Sequence, residues 1–352
     1  MNDNTSARAY SIPIKEYIMR AERIVFRDKL VCDVDRYDAE IRTDTDVLVE
    51  TVASLVSAGT ELAMYTKIHP RFSDPTNAWA KYPFFPGYSS VGIVRETGAA
   101  VKGLSAGDTI YFWGKHATYQ VINAASSRYI KIPAGVDYEP FVFYHMAEIA
   151  LTAPWQMSAS FGKSVLVAGM GVIGNLAAQL YLLSGASHVY GVDIVDRRLS
   201  QANACGLHET VNPAGRSFVE ALSSIGVAGV DIAVEAIGAN PVIRECLKTV
   251  NKNGAAVLLG SPRTPMEVDL YDDVHCKGMK LVGAHEGSLT PDEKRAVEPY
   301  LITLLANGLL KTGPLITHRL TIDDAPAVYD GLLNRKDEFT GVLFTYGKQR
   351  AA

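Results

Sequence analysis

The stretch VLVAGMGVIG at residues 165–174 decides the fold. Four apolar residues run directly into glycines spaced G-x-G-x-x-G, and a helical pattern follows from about residue 172 to 184. Four further apolar runs alternate with amphipathic segments, at residues 189–193, 231–234, 255–259 and 280–283. Apolar strands that alternate with helices are typical of a parallel, doubly wound sheet. We therefore predict an α/β fold organised around this glycine turn.

The chain before about residue 138 has a different texture. Residues 21–56 read as short β-branched strands, and residues 82–129 are dense in Gly, Pro and Val runs. This pattern predicts a small, twisted, mostly antiparallel barrel or sandwich. Apolar residues then recur at helical spacing over residues 139–160. After about residue 290, a helical segment leads to strand-like runs at residues 315–320 and 341–344.

Length and composition restrict the class of protein. The 352 residues suggest two domains, and a formal net charge of −4 gives no attraction to nucleic acid or to an anionic membrane. No apolar run approaches the roughly 20 residues of a membrane span, and the N-terminus lacks an apolar leader. The four cysteines contain no CxxC pair and are too few for a disulfide framework: Cys32, Cys205, Cys246 and Cys276. We expect a cytoplasmic protein without a membrane or nucleic-acid partner.

The glycine turn indicates a dinucleotide-binding site. Gly169 permits the tight turn, Gly171 lets the backbone approach a pyrophosphate, and Gly174 allows the helix to pack close to the strand. The helix that starts at Val172 and Ile173 offers free N–H groups and the positive end of its dipole to an anion. A glycine-rich turn alone is weak evidence, but the strand–turn–helix context supports this interpretation.

Asp193 at the end of the next strand favours NAD over NADP. A carboxylate there accepts hydrogen bonds from the adenosine ribose and repels a 2′-phosphate. Arg197 and Arg198 are the evidence against this preference, because either can pair with that phosphate, although they can also flank the adenine or be solvated. The nicotinamide is expected near residues at the ends of later strands: Ala236, Ile237, Gly260 and Ser261. His285, which follows a further strand, is expected to contact the cofactor or the substrate. Plain turns are the alternative for these positions.

Two segments of the first half resemble the medium-chain dehydrogenase/reductase superfamily. PGYSSVGIV at residues 86–94 is similar to that family's PGHE…GVV strand, and residues 96–108 match its E-x-G-x-x-V…G-D turn. The resemblance implies a Rossmann doubly wound parallel sheet inserted in a GroES-like β-barrel catalytic domain. The implied boundaries are 1–150 plus 291–352 for the catalytic domain and 151–290 for the NAD-binding domain. By analogy with the family, we expect a homodimer.

The family's zinc ligands are not matched in this chain. Where zinc alcohol and polyol dehydrogenases have a Cys, residues 58–61 read AGTE, and their GHE motif is GYS at residues 87–89. Residues 90–130 contain no Cys for a structural zinc lobe. We therefore expect neither a catalytic nor a structural zinc. The SAGTE run also resembles the zinc-lacking branch that includes bacteriochlorophyllide dehydrogenase-like proteins, and Glu61 within it is expected to bond the backbone or an Arg.

Four residues are candidates for proton chemistry. Thr60 matches the family's hydroxyl relay, although it can also be a turn threonine. Tyr88 replaces the ligand His and either donates to a substrate oxygen or fills the space. His145 and Glu148 lie one helical turn apart and form either an acid/base pair or a packed interface pair. Glu286, beside His285, is a further candidate for contact with substrate or cofactor.

The residues and the resemblance together predict a zinc-independent, NAD(H)-dependent oxidoreductase. It would interconvert a secondary alcohol and a ketone on a polar small molecule that resembles a sugar, cyclitol or polyol. One alternative is a zinc-lacking reductase of an activated C=C bond, as in enoyl and quinone reductases. A second alternative is an NAD-binding protein without catalytic activity. The sequence does not name the substrate, the direction or the stereochemistry.

Overall fold

The computed structural model describes residues 18–157, 160–207 and 209–347. Its strands are β1 (Ile18–Asp28), β2 (Val31–Glu40), β3 (Asp46–Leu55), β4 (Ser90–Thr97), β5 (Thr109–Phe112), β6 (Tyr119–Asn123), β7 (Tyr129–Lys131), β8 (Ser164–Ala168), β9 (His188–Val192), β10 (Glu209–Val211), β11 (Val230–Glu235), β12 (Val250–Leu258), β13 (Lys280–Gly283), β14 (Ile316–Leu320) and β15 (Gly341–Thr345). Its α-helices are α1 (Ala58–Tyr65), α2 (Tyr144–Met157), α3 (Val172–Leu183), α4 (Asp196–Ala204), α5 (Phe218–Ser223), α6 (Asn240–Thr249), α7 (Pro291–Ala306) and α8 (Ala325–Asn334). Among the described residues, no helix is both long and apolar enough to cross a bilayer.

A six-stranded parallel sheet forms around the glycine turn. Its strand order is β10-β9-β8-β11-β12-β13, and every pair of neighbours is parallel. Strand β8 shows that both faces of this sheet are buried. Val165 and Val167 belong to one buried cluster, whereas Leu166 and Ala168 belong to a second cluster on the opposite face. This alternation confirms the predicted doubly wound parallel sheet.

A seven-stranded sheet contains the rest of the paired strands apart from β1 and β2. Its order is β14-β15-β3-β4-β5-β7, with β6 also paired to β3. All its pairs are antiparallel except β14 with β15. The last strands of the chain therefore return to the sheet that the first half builds. The predicted fold class, a parallel sheet combined with a mostly antiparallel one, is confirmed.

Strands β1 and β2 form a separate hairpin that is longer than the sequence indicated. They hold 11 and 10 residues where short strands were expected. Ile24 and Phe26 are buried against the core, and the outer face has cross-strand ion pairs such as Arg23 with Asp35 at 2.9 Å. These contacts extend the pairing beyond what β-propensity alone suggests.

Helix α2 connects the two large sheets. Residues 139–143 form a 3₁₀ turn, so the α-helix starts at Tyr144 rather than at the predicted residue 139. The helix packs against α3, and its buried face belongs to one core cluster that also includes Val91 of β4 and Val165 of β8. The first turn of α2 therefore lies at the junction of the two sheets, and it contains His145.

Candidate active site

The glycine turn leaves an anion-binding position open. Gly169 has φ +97°, which favours glycine. A Cβ on Gly174 would overlap the carbonyl oxygen of Gly169, so the helix approaches the turn this closely only with glycine. A Cβ on Gly171 would meet nothing within 4 Å, and no side chain caps α3 at this residue. The first N–H groups of α3, at Val172 and Ile173, therefore face open space that fits a pyrophosphate.

Asp193 and Arg198 lie together beyond the end of β9. The Asp193 carboxylate accepts hydrogen bonds from the backbone N–H groups of Met170 (2.8 Å) and Val195 (2.9 Å). Arg198 Nη1 lies 3.6 Å from Asp193 Oδ2, and its Nη2 donates to the carbonyl of Lys336 at 2.8 Å. Both side chains line a cavity of about 290 Å³. The charge of Arg198 is thus already compensated by Asp193.

The predicted nicotinamide-side residues line one cavity of about 370 Å³ at the carboxyl ends of β11, β12 and β13, which Ile173 of α3 also lines: Ala236, Ile237, Gly260, Ser261 and His285. Thr60, Tyr88 and Glu286 line the same cavity. A larger cavity of about 770 Å³ shares these last three residues and adds His145. The two cavities are therefore contiguous, and together they extend from the strand ends of the parallel sheet to α2.

Glu235 holds the turn after β11, a function that the sequence analysis did not assign. The side chain is fully buried, and its Oε1 accepts hydrogen bonds from the N–H groups of Ile237 (2.8 Å) and Gly238 (2.7 Å). Burial raises the pKa of Glu235 despite these bonds. An acidic residue at the end of the apolar strand VDIAVE was the available signal.

His145 is held between two carboxylates. Its Nδ1 lies 3.1 Å from Oε2 of Glu148, and its Nε2 lies 2.9 Å from Oε2 of Glu286. The rings of Tyr88 and Trp113 pack edge-on against the imidazole at centroid distances of 5.2 and 4.7 Å. Burial alone lowers the pKa of His145, but the two carboxylates outweigh it and the pKa is raised.

Arg128 extends this arrangement away from the cavity. Glu148 is fully buried, and Arg128 Nη1 lies 2.8 Å from its carboxylate. Arg128 also contacts the hydroxyl of Tyr144 (3.1 Å) and the carboxylate of Glu298 (3.3 Å). Burial raises the pKa of Glu148, but the opposing effect of His145 and Arg128 is larger. The net pKa is therefore lowered, and Glu148 stays ionised. Acidic and basic side chains therefore alternate along this series of contacts, in the order Glu298, Arg128, Glu148, His145 and Glu286.

Tyr88 and Thr60 lie on the side of the cavity formed by α1. The Tyr88 hydroxyl donates a hydrogen bond to Oγ of Ser57. Burial raises the pKa of Tyr88 well above its usual value, although hydrogen bonds with Ser57 and Thr60 oppose this. The phenol is therefore neutral over the physiological range. The structure brings together Thr60, Tyr88 and His145, as the sequence analysis expected, whereas Glu148 lies behind His145.

Glu61 belongs to a buried polar cluster behind the cavity. Its carboxylate accepts hydrogen bonds from the Ser57 N–H (2.8 Å) and the Tyr329 hydroxyl (2.5 Å), and it lies 3.1 Å from Nε2 of His116. His116 is bonded in turn to Ser54. The expected structural function is supported for the backbone contact, but the side-chain partners are a His and a Tyr rather than an Arg.

Comparison with known proteins gives a consistent set of similarities. Residues 172–305 match the model of the zinc-binding dehydrogenase family. An L-threonine 3-dehydrogenase of Cronobacter sakazakii is 33% identical over 172 residues, so the alignment covers 49% of this chain and only about half (48%) of that relative's length. An L-threonine 3-dehydrogenase of Photorhabdus laumondii is 27% identical over 316 residues, covering 81% of this chain and 88% of its own. A putative zinc-binding dehydrogenase from Sinorhizobium meliloti, solved bound to NADP, has TM-score 0.78 at 21% identity and covers 93% of this chain and 99% of its own.

These comparisons contradict the prediction of no zinc. The matching family model is that of a zinc-binding dehydrogenase, and the solved neighbour is described as a zinc-binding dehydrogenase as well. The side chains of this cleft nevertheless do not fit a zinc site. Within the ranges that the structure describes, no three or more His, Cys, Asp or Glu form a group that could hold a metal ion.

The curated relatives are dehydrogenases by name, and the solved neighbour shares the fold of this chain. Taken with the parallel sheet and its antiparallel partner, the matches support the resemblance of this chain to the medium-chain dehydrogenase/reductase superfamily.

Proposed function

We propose that this protein is an NAD(H)-dependent oxidoreductase that interconverts a secondary alcohol and a ketone on a polar small molecule. The observation that carries the proposal is the position of His145. Its imidazole borders a cavity that is contiguous with the strand ends where the nicotinamide is expected. A proton-carrying group beside a hydride-carrying site is what alcohol oxidation requires.

The cofactor supplies the hydride chemistry when bound, because nicotinamide accepts or donates hydride at C4 of its ring. The chain holds it through the turn at Gly171 and the N-terminus of α3. Asp193 is positioned to accept hydrogen bonds from the adenosine ribose. Since Arg198 is compensated by Asp193 and donates to the Lys336 carbonyl, it offers little to a 2′-phosphate. These contacts favour NAD(H).

His145 is proposed to move the hydroxyl proton. The ionised Glu148 accepts a hydrogen bond from Nδ1–H, which directs Nε2 of the imidazole toward the cavity and Glu286. In alcohol oxidation, the neutral ring takes the proton from the hydroxyl group. In the reverse reaction, ketone reduction, the imidazolium donates a proton to the carbonyl oxygen. The Glu286 side chain is 34% exposed, so it can exchange the proton with water. Tyr88 and Thr60 supply neutral hydroxyls that orient the substrate oxygen.

Purified protein tests this function directly. Polyols, cyclitols, sugar acids and their ketone forms are incubated with NAD(H) or NADP(H), and nicotinamide absorbance is followed. The proposal predicts substrate-dependent turnover of an alcohol–ketone pair, with NAD(H) preferred. Turnover confined to conjugated enones or quinones would contradict it in favour of C=C reduction. Cofactor binding without turnover of any substrate would favour a protein that has lost its chemistry.

A further inference from the structure

We infer that the substrate carries an anionic group, a phosphate or a carboxylate, and that Lys115 and Arg263, which line the same cavity as His145, bind it. The inference rests on the proposed function, since it names the substrate class for the same cleft. It follows from the balance of charge in the 770 Å³ cavity and from the positions of its cations.

The carboxylates that line this cavity already have partners. Glu61 is bonded to His116 and Tyr329, and Glu286 lies against His145. Lys115 and Arg263 line the same cavity. In the described part of the chain, neither of these two cations forms an ion pair with a carboxylate. The cavity therefore contains two cations without a carboxylate in contact, although Glu61 acts on Lys115 from a distance.

The surroundings of these cations increase their attraction for an anion. The Lys115 Nζ lies 5.9 Å from the ring centroid of Phe84, and the surrounding protein lowers its pKa by desolvation. Burial likewise lowers the pKa of Arg263, whose Nη2 donates a hydrogen bond to the carbonyl of Gly59 at 3.1 Å. Aromatic walls from Trp79 and Trp113 reduce the local dielectric and strengthen a charge pair. An anion would offset the cost of desolvating both cations.

The order of side chains along the wall orients the substrate. Trp113 packs against the imidazole of His145, and Lys115 follows two residues later along the chain after β5. In the proposed binding mode, the reacting carbon meets His145 and the anionic group is held by Lys115 and Arg263 of the same cavity. The cavity volume is within the range of about 300–1,000 Å³ that accommodates small-molecule ligands. A phosphorylated polyol and a sugar acid both satisfy this arrangement.

Kinetics on matched substrates test the inference and separate the two anions. A neutral polyol, its phosphate monoester and the corresponding aldonate are compared by kcat/KM in wild type, Lys115→Gln and Arg263→Gln. We expect an anionic congener to exceed the neutral one at least tenfold in wild type, and each variant to remove about tenfold of that preference by losing more kcat/KM on the anionic substrate than on the neutral one. The phosphate and aldonate arms identify which anion is preferred. Equal losses on neutral and anionic substrates would overturn the inference.

Arg71→Gln is the matched control, because Arg71 lines the same cavity but is paired with Asp74 at 3.3 Å. We expect it to change the anionic preference less than threefold. An effect equal to that of Lys115→Gln would mean that general electrostatic attraction, not a defined anion site, is responsible, and would overturn the inference.

A binding measurement distinguishes failure of the inference from failure of the proposed function. Inorganic phosphate is titrated into NADH-saturated protein, and tryptophan fluorescence is recorded; Trp79 and Trp113 line the cavity. Saturable binding that weakens about tenfold in Lys115→Gln and Arg263→Gln but not in Arg71→Gln supports the anion site even if no alcohol is oxidised. Absent binding, or binding unaffected by Lys115→Gln, contradicts it. A weaker affinity for NADH in Arg263→Gln would assign Arg263 to the cofactor instead.

Discussion

The Nε2 atom of His145 lies 2.9 Å from Oε2 of Glu286. This contact joins α2 to the segment that follows β13, so it connects the two sides of the cleft. His145 is buried and Glu286 is partly exposed to the cavity. The charge of Glu286 therefore helps to set the protonation state of a group that borders the substrate.

Glu286→Gln is predicted to move the pH dependence of alcohol oxidation to lower pH. The carboxylate favours the imidazolium and so raises the pKa of His145. Oxidation needs the neutral ring, so the rate rises as the pH increases through that raised pKa. Removing the charge lowers the pKa, and we expect the rising limb of kcat/KM to shift down by about one pH unit.

Glu267→Gln is the control for this prediction, because Glu267 is an exposed carboxylate in the segment between β12 and β13. Its pH profile should coincide with that of wild type. A Glu286→Gln profile that also coincides with wild type would show that another group controls the ionisation.

Asp193→Asn is predicted to reduce discrimination between NADH and NADPH. The change removes the charge that repels a 2′-phosphate and leaves Arg198 without its counter-charge. We expect NADH to bind about tenfold more weakly and NADPH to bind more tightly than in wild type, measured by fluorescence titration. The control is Glu209→Gln, which changes an exposed carboxylate of β10. Tighter binding of NADPH than NADH by wild type would disprove the interpretation of Asp193.

Glu61→Gln is predicted to destabilise the protein near neutral pH and much less in acid. Burial raises the pKa of Glu61, but the opposing effect of His116, Tyr329 and the Ser57 N–H is larger. The pKa of Glu61 in the folded protein is therefore below its pKa in the unfolded chain. The stabilisation is therefore complete above the unfolded pKa of about 4.3 and is lost as pH falls through the folded value. We expect a loss of about 3 kcal/mol at pH 7, or about 6 °C in apparent Tm.

Thermal unfolding of wild type and Glu61→Gln at several pH values measures this difference. Tyr329→Phe removes one hydrogen bond to the carboxylate and keeps its charge, so it should cost less, about 1–2 kcal/mol. A difference between wild type and Glu61→Gln that does not shrink in acid would contradict the assigned ionisation.

The parallel sheet was predictable because its signals are local. Apolar runs such as that of β13, at residues 280–283, and the glycine turn before α3 fix strands and helices without distant contacts. The long β1–β2 hairpin was not predictable in extent, since its length depends on cross-strand pairs such as Arg23 with Asp35. The start of α2 was misplaced by five residues because a 3₁₀ turn over residues 139–143 has similar apolar spacing.

The candidate site was predictable in part, since Thr60, Tyr88 and His145 were named as candidates and line one cavity. His145 and Glu148 share a helix, so their proximity follows from helical geometry. Arg128 and Glu286 reach them from distant segments, and only the tertiary fold brings these charges together. The pairing of Glu61 with His116 was missed for the same reason.

The most direct test of the central claim is the activity of His145→Gln with cofactor bound. The account predicts that this variant binds NADH as tightly as wild type but loses about 10²–10⁴-fold in kcat for alcohol–ketone interconversion, because proton transfer is lost while the glycine turn is intact. Near-wild-type kcat in His145→Gln, with unchanged NADH affinity, would contradict the assignment of His145 as the group that moves the proton.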